Sequence, residues 1–233
     1  VGSYKIKSFE ASEIIKNDFK IRAIGSKIDL NRFYGNTDTA SVISELINIS
    51  DPDLNTQTIF LWPEGIIPNI DQSEIKDYEF LFNEKFGENH ILAIGINSFQ
   101  KNETEDKFYN TFSIYDHKLR LLKEYKKVKL VPFGEFLPFE KILGKIGLRS
   151  LTNEYQSFSK GNKRKIISIS KDEFDIKILP LICYEIIYSG NIFDDSNFDF
   201  IINISEDGWF GDSIGPYQHF AHSIFRSIDT GKY

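Results

Sequence analysis

Three polar residues stand at the ends of apolar runs, where apolar residues are expected. Glu64 follows TIFLWP (58–63), Lys127 lies within YKKVKLVP (125–132), and Cys183 closes FDIKILPLIC (174–183). Catalytic groups in α/β proteins collect at the carboxyl ends of strands. A partly desolvated carboxylate can act as a general base, and a thiol needs a base or a cation nearby to act as a nucleophile. The three residue types therefore indicate nucleophilic catalysis by Cys183.

Each of these residues also has an ordinary structural interpretation. A carboxylate such as Glu64 is common at turns and helix starts, and a lone cysteine in an apolar strand is more often a small hydrophobic residue. Periodicity does not select Lys127 over Lys129, because both lie on one face of a strand. Glu135 lies in VPFGEFLPF (131–139). A carboxylate among phenylalanines needs a partner, and a nearby lysine is the obvious one.

The elements that must position these residues alternate between strands and helices. The pattern predicts strands over 19–25, 58–62, 91–96, 166–170, 174–183 and 200–204, a hairpin of 108–115 with 119–128, and helices over 37–49, 75–86 and 215–229. Residues 1–18 read as a polar N-terminal segment, and the chain shows no repeats or linkers. We therefore expect a single domain over 1–233, with an α/β layered fold and a mixed sheet.

Composition excludes several classes of protein. The 233 residues are 41% hydrophobic and carry a net charge of −6, which argues for one substantial core and against a general nucleic-acid binder. One cysteine excludes an intrachain disulfide and a thiolate-rich metal cluster. The pair His219 and His222 lacks the spacing of a helical zinc motif, so we interpret it as structural and expect no metal. Because the chain has no methionine and ends directly after a predicted helix, we expect it to be a piece of a longer protein.

Three short motifs carry a family resemblance. WPE (62–64), the lysine ahead of LVPFGE (130–135) and ICYE (182–185) together resemble the Glu–Lys–Cys triad of the carbon–nitrogen hydrolase (nitrilase) superfamily. The longer segments LVPFGEFLP (130–138), ICYEII (182–187) and DGWFGDSIGPYQH (207–219) resemble the bacterial apolipoprotein N-acyltransferase family. The resemblance extends from about residue 20 to residue 233.

The resemblance implies a nitrilase-like four-layer αββα sandwich with mixed sheets, truncated at the C-terminal end. It implies that Cys183 is the nucleophile, Glu64 the general base and Lys127 the stabiliser of the oxyanion. The family's lysine stands three positions before Leu-Val-Pro, which selects Lys127 over Lys129. It also implies that Glu135 is a second essential acid that orients the lysine.

Further positions near the nucleophile are carried over from the family. Tyr184, Glu185 and Trp209 match residues that support substrate binding. The chain departs from the family pattern at Glu206, where an asparagine is usual. This carboxylate adds charge near the predicted site and alters the hydrogen bonding that the segment normally makes.

The implied reaction is a two-step acyl transfer that needs no cofactor. Cys183 takes an acyl chain from a phospholipid as a thioester, and the N-terminal amine of a diacylglyceryl lipoprotein then receives it. The resemblance implies that the whole protein is located in the bacterial inner membrane. This chain would be part of its catalytic domain on the periplasmic face, and the membrane segments would lie outside the chain. Two alternatives remain: a soluble nitrilase-like amidase that uses the same triad, and a non-catalytic binding module with this fold.

Overall fold

The computed structural model describes residues 19–25, 30, 37–103, 105–136, 157–171, 174–188 and 197–232. The strands of these residues form two sheets, of five strands in the order β1-β2-β3-β4-β5 and of three strands in the order β6-β7-β8. The strands are β1 (Lys20–Ala23), β2 (Thr58–Trp62), β3 (His90–Gln100), β4 (Lys107–Asp116), β5 (Leu121–Lys126), β6 (Ile167–Lys171), β7 (Phe174–Ile182) and β8 (Phe200–Ile204).

Both sheets are mixed, as the sequence predicts. In the larger sheet β1, β2 and β3 are parallel, and β4 and β5 continue it as antiparallel neighbours. In the smaller sheet β6 is antiparallel to β7, and β7 is parallel to β8. Glu64 and Cys183 follow the carboxyl ends of β2 and β7, each of which has a parallel neighbour, and Lys127 follows the end of β5, which is antiparallel to β4.

Two longer helices lie on different parts of the structure. Helix α1 (Thr39–Ser50) begins at Asp38, whose carboxylate accepts a hydrogen bond from the backbone N–H of Ser41 at 3.0 Å, a standard N-terminal cap. A short helix α2 spans Glu79–Phe82. Helix α3 (Gly215–Thr230) starts at a proline-containing first turn and contacts the 3₁₀ turns that follow β7 and β8.

The prediction of one continuous helix over 75–86 is wrong. The structure has a 3₁₀ turn at Ile75–Tyr78, followed directly by the single turn of α2. Short helical segments depend on tertiary packing more than on intrinsic propensity. Here Phe82 packs against the ring of Trp62 at 5.8 Å and against Phe86 at 5.7 Å. The hydrophobic periodicity of the segment does not predict this aromatic packing, which accompanies the irregular backbone.

Two layers of the core lie on opposite faces of the larger sheet. Along β3, Leu92 and Ile94 face the cluster that contains α1, whereas Ile91 and Ala93 face the smaller sheet. The smaller sheet contributes inward-facing isoleucines, Ile178 among them, to the layer between the sheets. The predicted α/β architecture with mixed sheets packed face to face is confirmed.

Some predicted features differ in detail or lie outside the described residues. β3 is longer than predicted, and β7 ends at Ile182, so Cys183 lies beyond the strand. The segment 1–18 and the last residues of the aromatic segment 131–139 are outside the described residues. Within the described part of the chain, no helix combines the length and hydrophobicity required to span a bilayer.

Candidate active site

The residues predicted to act in catalysis follow the ends of three strands. Glu64 comes shortly after β2, Lys127 directly after β5, and Cys183 directly after β7. The first two belong to the larger sheet and the third to the smaller one. The ammonium Nζ of Lys127 lies 3.1 Å from Oε1 of Glu64, although the two residues are 63 positions apart. The charges of Glu64 and Lys127 both act on the thiol of Cys183, so all three side chains converge.

Lys127 is enclosed by two carboxylates. Its ammonium lies 2.9 Å from Oε1 of Glu135 in addition to the contact with Glu64, and its side chain is 1% exposed. The other oxygen of Glu135 accepts a hydrogen bond from the backbone N–H of Val131 at 2.9 Å. Glu135 thus lies against Lys127, as the sequence predicted, and is also bound to the backbone of its own loop.

Asn110 completes this group and was not singled out from the sequence. Its Nδ2 donates to Oε1 of Glu64 at 2.6 Å and to Oε1 of Glu135 at 3.0 Å. The amide and the ammonium of Lys127 thus contact the same two carboxylate oxygens. Asn110 lies on β4 within the aromatic stretch KFYNTF (107–112). A buried amide in such a stretch is a signal that could have been used.

Lys127 is a cation at neutral pH. Burial by itself would lower the pKa of this lysine, but the negative charges of Glu64 and Glu135 outweigh burial and raise the pKa above its ordinary value. An ammonium held in this way cannot accept a proton from the thiol. It can stabilise negative charge that develops on a substrate oxygen.

Cys183 occupies a strained turn. It is the first residue of a 3₁₀ segment, Cys183–Ile187, named here the Cys183 turn, and its φ of +51° lies in the left-handed region. A non-glycine residue in that region is costly by about 1–3 kcal/mol, and such strain clusters at functional sites. Helix α3 and strand β8 pack against the turn.

The thiol of Cys183 is protonated at neutral pH. Burial, and then the negative charge of Glu64, raise the pKa of Cys183 to about 12, while Lys127 and the hydroxyl of Ser205 act in the opposite direction. A thiol in this state needs a base at the moment of attack. The carboxylate of Glu64, whose charge acts on the thiol, is the group placed to take the proton.

Glu185 joins the two sheets beneath the site. The residue is 0% exposed, and its carboxylate accepts hydrogen bonds from both sides of the sheet interface. The donors, at 2.8 to 3.1 Å, are Tyr125 Oη, Val128 N, Lys129 N, Arg164 Nη2 and Ile182 N. Its carboxylate thereby connects the loop that carries Lys127 to the turn that carries Cys183. The sequence did not predict a role for Arg164, because no local pattern indicates that a residue in a distant loop pairs with Glu185.

The other two predicted substrate-binding residues are exposed at the surface of the protein. Tyr184 is 37% exposed and Trp209 is 54% exposed. The carboxylate of Glu206 accepts a hydrogen bond from the backbone N–H of Gly208 at 3.1 Å. The backbone N–H of Glu206 donates a hydrogen bond to Oε2 of Glu64 at 3.2 Å. The carboxylate that replaces the usual asparagine thus caps the following turn, and the contact to Glu64 is made by the backbone. Among the described residues, no cluster of side chains could hold a metal ion.

Comparison with known proteins places the chain among relatives. Residues 61–233 match the model of the carbon–nitrogen hydrolase family. The chain is 31% identical to an apolipoprotein N-acyltransferase of Wigglesworthia glossinidia brevipalpis, over 99% of this chain and 46% of that protein. It is 33% identical to the enzyme of the same name from Rhizobium rhizogenes, over 74% of this chain and 32% of that protein. The chain therefore spans less than half the length of these curated relatives.

A solved structure supports the fold. Nit3 of Saccharomyces cerevisiae, a member of branch 10 of the nitrilase superfamily, is 16% identical and superposes with a TM-score of 0.54. The superposition covers 83% of this chain and 66% of Nit3. At this level of identity the likeness concerns the fold alone.

Proposed function

Because the chain belongs to the carbon–nitrogen hydrolase family, we propose that it carries the catalytic site of an apolipoprotein N-acyltransferase. The reaction moves an acyl chain from a phospholipid to the N-terminal amine of a diacylglyceryl lipoprotein. The name of the curated relatives supports the choice of acceptor. The observation that carries the proposal is a thiol on a strained turn, under the influence of a carboxylate that is itself paired with a buried lysine at 3.1 Å.

The first half-reaction acylates Cys183. Glu64 takes the proton of the thiol as the sulfur attacks the carbonyl carbon of a phospholipid ester. The ammonium of Lys127 stabilises the negative charge on the carbonyl oxygen of the tetrahedral intermediate. The intermediate then expels the glycerol oxygen, which takes the proton from Glu64. The products are an acyl thioester on Cys183 and a lysophospholipid.

The second half-reaction releases the acyl chain to the acceptor. The α-amine of the diacylglyceryl-cysteine attacks the thioester carbonyl, and Glu64 takes a proton from the attacking nitrogen. Lys127 again stabilises the oxyanion. The thiolate leaves and recovers the proton, so that the enzyme returns to its starting state with an amide formed. Every proton moves through Glu64. Lys127 therefore takes no part in proton transfer and keeps its positive charge throughout the reaction.

Glu135 and Asn110 act through the catalytic residues. Glu135 contacts the ammonium of Lys127, and its second oxygen is fixed by the backbone N–H of Val131. Asn110 donates to both carboxylates and therefore holds their spacing. Because both substrates carry long acyl chains, we place the reaction at a membrane, on the periplasmic face of the bacterial inner membrane.

A transfer assay with both substrates tests the proposal. The protein is mixed with phosphatidylethanolamine vesicles that carry a labelled acyl chain and with a synthetic peptide that starts with diacylglyceryl-cysteine. We expect equal amounts of lysophospholipid and N-acylated peptide, and neither product from Cys183→Ala. Lys127→Met should be as inactive as Cys183→Ala. Lys129→Met is the matched control and should keep activity, because Lys129 contributes its backbone N–H and not its ammonium to the site.

The same assay separates the alternatives. Release of ammonia from small aliphatic amides without acylation of the peptide would identify an amidase and overturn the proposal. A folded protein whose Cys183 reacts with neither substrate nor a thiol reagent would indicate a binding module.

A further inference from the structure

His219 is buried on α3 between two hydrogen-bond acceptors. Its Nδ1 lies 2.8 Å from Oδ1 of Asp207, and its Nε2 lies 3.0 Å from the backbone carbonyl oxygen of Cys183. The residue is 5% exposed, and the ring of Tyr184 stacks on it at a centroid distance of 6.3 Å. The imidazole thus links the nucleophile's own peptide group to the Asp207 turn (Asp207–Phe210) that follows β8.

The two partners fix the protonation state of the ring. A carboxylate oxygen and a peptide carbonyl oxygen carry no hydrogen, so both contacts require N–H donors from His219. A neutral imidazole has one N–H and would leave one of these contacts without a proton. An imidazolium satisfies both, and the charge of Asp207 balances it.

The electrostatics of the pair agree with this assignment. Burial alone would lower the pKa of His219, but the hydrogen bonds that it donates to Asp207 and to the carbonyl of Cys183 outweigh burial and raise the pKa. Burial alone would raise the pKa of Asp207, but its hydrogen bonds with His219 and Ser205 lower it. Both shifts favour the charged pair.

Two polar groups of Cys183, its backbone carbonyl and its thiol, interact with neighbouring residues. The carbonyl oxygen of Cys183 accepts a hydrogen bond from His219, and the hydroxyl of Ser205 acts to lower the pKa of the thiol. Ser205 in turn donates to Oδ1 of Asp207 at 2.5 Å. Asp207 therefore contacts both His219 and Ser205, the two residues that interact with Cys183. The backbone φ of Cys183 lies in the left-handed region.

We propose that His219, charged and paired with Asp207, is a positioning residue that fixes the backbone of Cys183 and so aims the thiol at Glu64. This inference rests on Cys183 being the nucleophile of the proposed function, and not on the choice of acyl donor or acceptor. When the ring loses its proton, one of its two hydrogen bonds is lost, and the turn is held less firmly. The reactivity of Cys183 that depends on His219 must then disappear as the pH rises through the pKa of His219.

Other charged groups around His219 set the pH at which this happens. Asp207 faces the ring from the turn after β8 and favours the imidazolium, and the carboxylate of Glu64 acts in the same direction from the loop after β2. Tyr184 contributes its ring face from the Cys183 turn. On α3 itself, Arg226 is paired with Asp229 at 2.5 Å, so its charge is balanced. The transition is expected above pH ~6.5, the ordinary value for histidine.

The direct test combines ring NMR with thiol chemistry. In protein labelled with ¹⁵N-histidine, both ring nitrogens of His219 should carry protons at pH 7. The rate of Cys183 alkylation by iodoacetamide should be roughly tenfold lower in His219→Gln at that pH, about the worth of one hydrogen bond to a charged group. The ratio of the wild-type rate to the variant rate should approach one as the pH rises through the histidine transition. His222→Gln, on the same helix, is the matched control and should match the wild type throughout.

Two results would overturn the inference. One is a His219 ring with a single proton at pH 7, and the other is a rate ratio that does not change with pH. If His219→Gln does not fold, Asp207→Asn provides the second variant, which should lower the pKa of His219 and reduce alkylation similarly. Iodoacetamide involves no lipid, so loss of acyl transfer with the alkylation pattern intact would contradict the proposed function alone. Normal acyl transfer with a flat ratio would contradict the role of His219 alone.

Discussion

Glu64 has two opposing effects on Cys183. Its negative charge disfavours the thiolate, and its carboxylate is the group placed to take the thiol's proton. The ammonium of Lys127 moderates the first effect by pairing with the carboxylate at 3.1 Å. The arrangement keeps the thiol protonated at rest and allows ionisation only as the sulfur attacks.

Glu64→Gln is therefore expected to separate acidity from activity. Burial and the charge of Glu64 raise the pKa of Cys183 to about 12, so removing that charge should lower the pKa of the thiol. Acylation should nevertheless slow by roughly 100- to 10,000-fold, the usual worth of a general base. Thiolate absorbance against pH and the rate of lysophospholipid release measure the two quantities.

The control for this pair of measurements is Glu45→Gln, an exposed carboxylate on α1. It should leave both the thiol pKa and the rate unchanged. A Glu64→Gln protein that acylates as fast as the wild type would show that another group removes the proton.

Single residues were predicted from the sequence to different degrees. Glu64, Lys127, Glu135 and Cys183 interrupt apolar runs, and the structure brings all of them to one site. Periodicity alone did not separate Lys127 from its neighbour Lys129, and only the family motif did so. Their contacts explain the difference, because the lysine that follows β5 directly points inward with 1% exposure.

At the scale of elements, the loop that carries Glu64 is seated on β3. Gly95 lies beneath this loop, and its carbonyl accepts a hydrogen bond from the backbone N–H of Ile66 at 3.3 Å. A Cβ atom at Gly95 would overlap the carbonyl oxygen of Pro63 and would lie 2.6 Å from Cα of Glu64. Since both of these are backbone atoms, the loop would have to shift.

Gly95→Ala is expected to displace Glu64 and reduce activity more than stability. Overpacking of this kind costs about 1–3 kcal/mol, whereas a catalytic group displaced by about 1 Å costs on the order of 100-fold in rate. Urea unfolding and the acyl-transfer rate give the two values. Gly134→Ala is the matched control, because its Cβ would meet Val131 at an ordinary distance of 3.5 Å. Full activity in Gly95→Ala would mean that the position of Glu64 is not critical.

The sequence predicted elements better than it predicted their ends. The strands, the hairpin and the helices α1 and α3 follow from apolar spacing, and each lies close to its predicted range. The 75–86 segment is irregular, and its Phe82 packs against Trp62, a long-range contact that helical periodicity does not predict. Cys183 lies one residue past its strand, since the left-handed φ that ends β7 leaves no trace in hydrophobic patterning.

At the scale of the whole molecule, the site is assembled across the interface between the two sheets. Glu64 and Lys127 belong to the larger sheet, and Cys183 to the smaller one. Buried isoleucines hold the sheets together, and the carboxylate of Glu185 adds polar contacts at the site end of this interface. The relative position of base and nucleophile thus depends on how the sheets pack.

Glu185→Gln tests this dependence. The change would remove the negative charge that lies 3.1 Å from the guanidinium of Arg164, which is 11% exposed. Breaking a buried pair by removing one partner costs about 3–5 kcal/mol, so the free energy of unfolding should fall by about that amount. Glu124→Gln, on the exposed side of β5, should cost about 0–1 kcal/mol, as a surface pair does. Equal stability of the two variants in urea unfolding would remove Glu185 as a link between the sheets.

Long-range contacts of this kind set the limit of the sequence analysis. Glu185 was placed near the nucleophile through its motif, but its five donors come from positions 3 to 60 residues away. His219 was interpreted as structural, and its contact with the carbonyl of Cys183 spans 36 positions. No local pattern encodes such pairings, because they arise only when the two sheets and α3 have packed.

The central claim is that Cys183 carries the acyl chain between donor and acceptor, and mass spectrometry of the intact protein tests it most directly. After incubation with phospholipid and no lipoprotein, the protein should gain the mass of one acyl chain, and hydroxylamine should remove it as expected for a thioester. Cys183→Ala, which leaves no thiol in the chain, should gain nothing, and addition of the diacylglyceryl peptide should discharge the wild-type adduct. A wild-type protein that transfers acyl chains at its normal rate with no adduct at any time, or an adduct that persists in Cys183→Ala, would contradict the account.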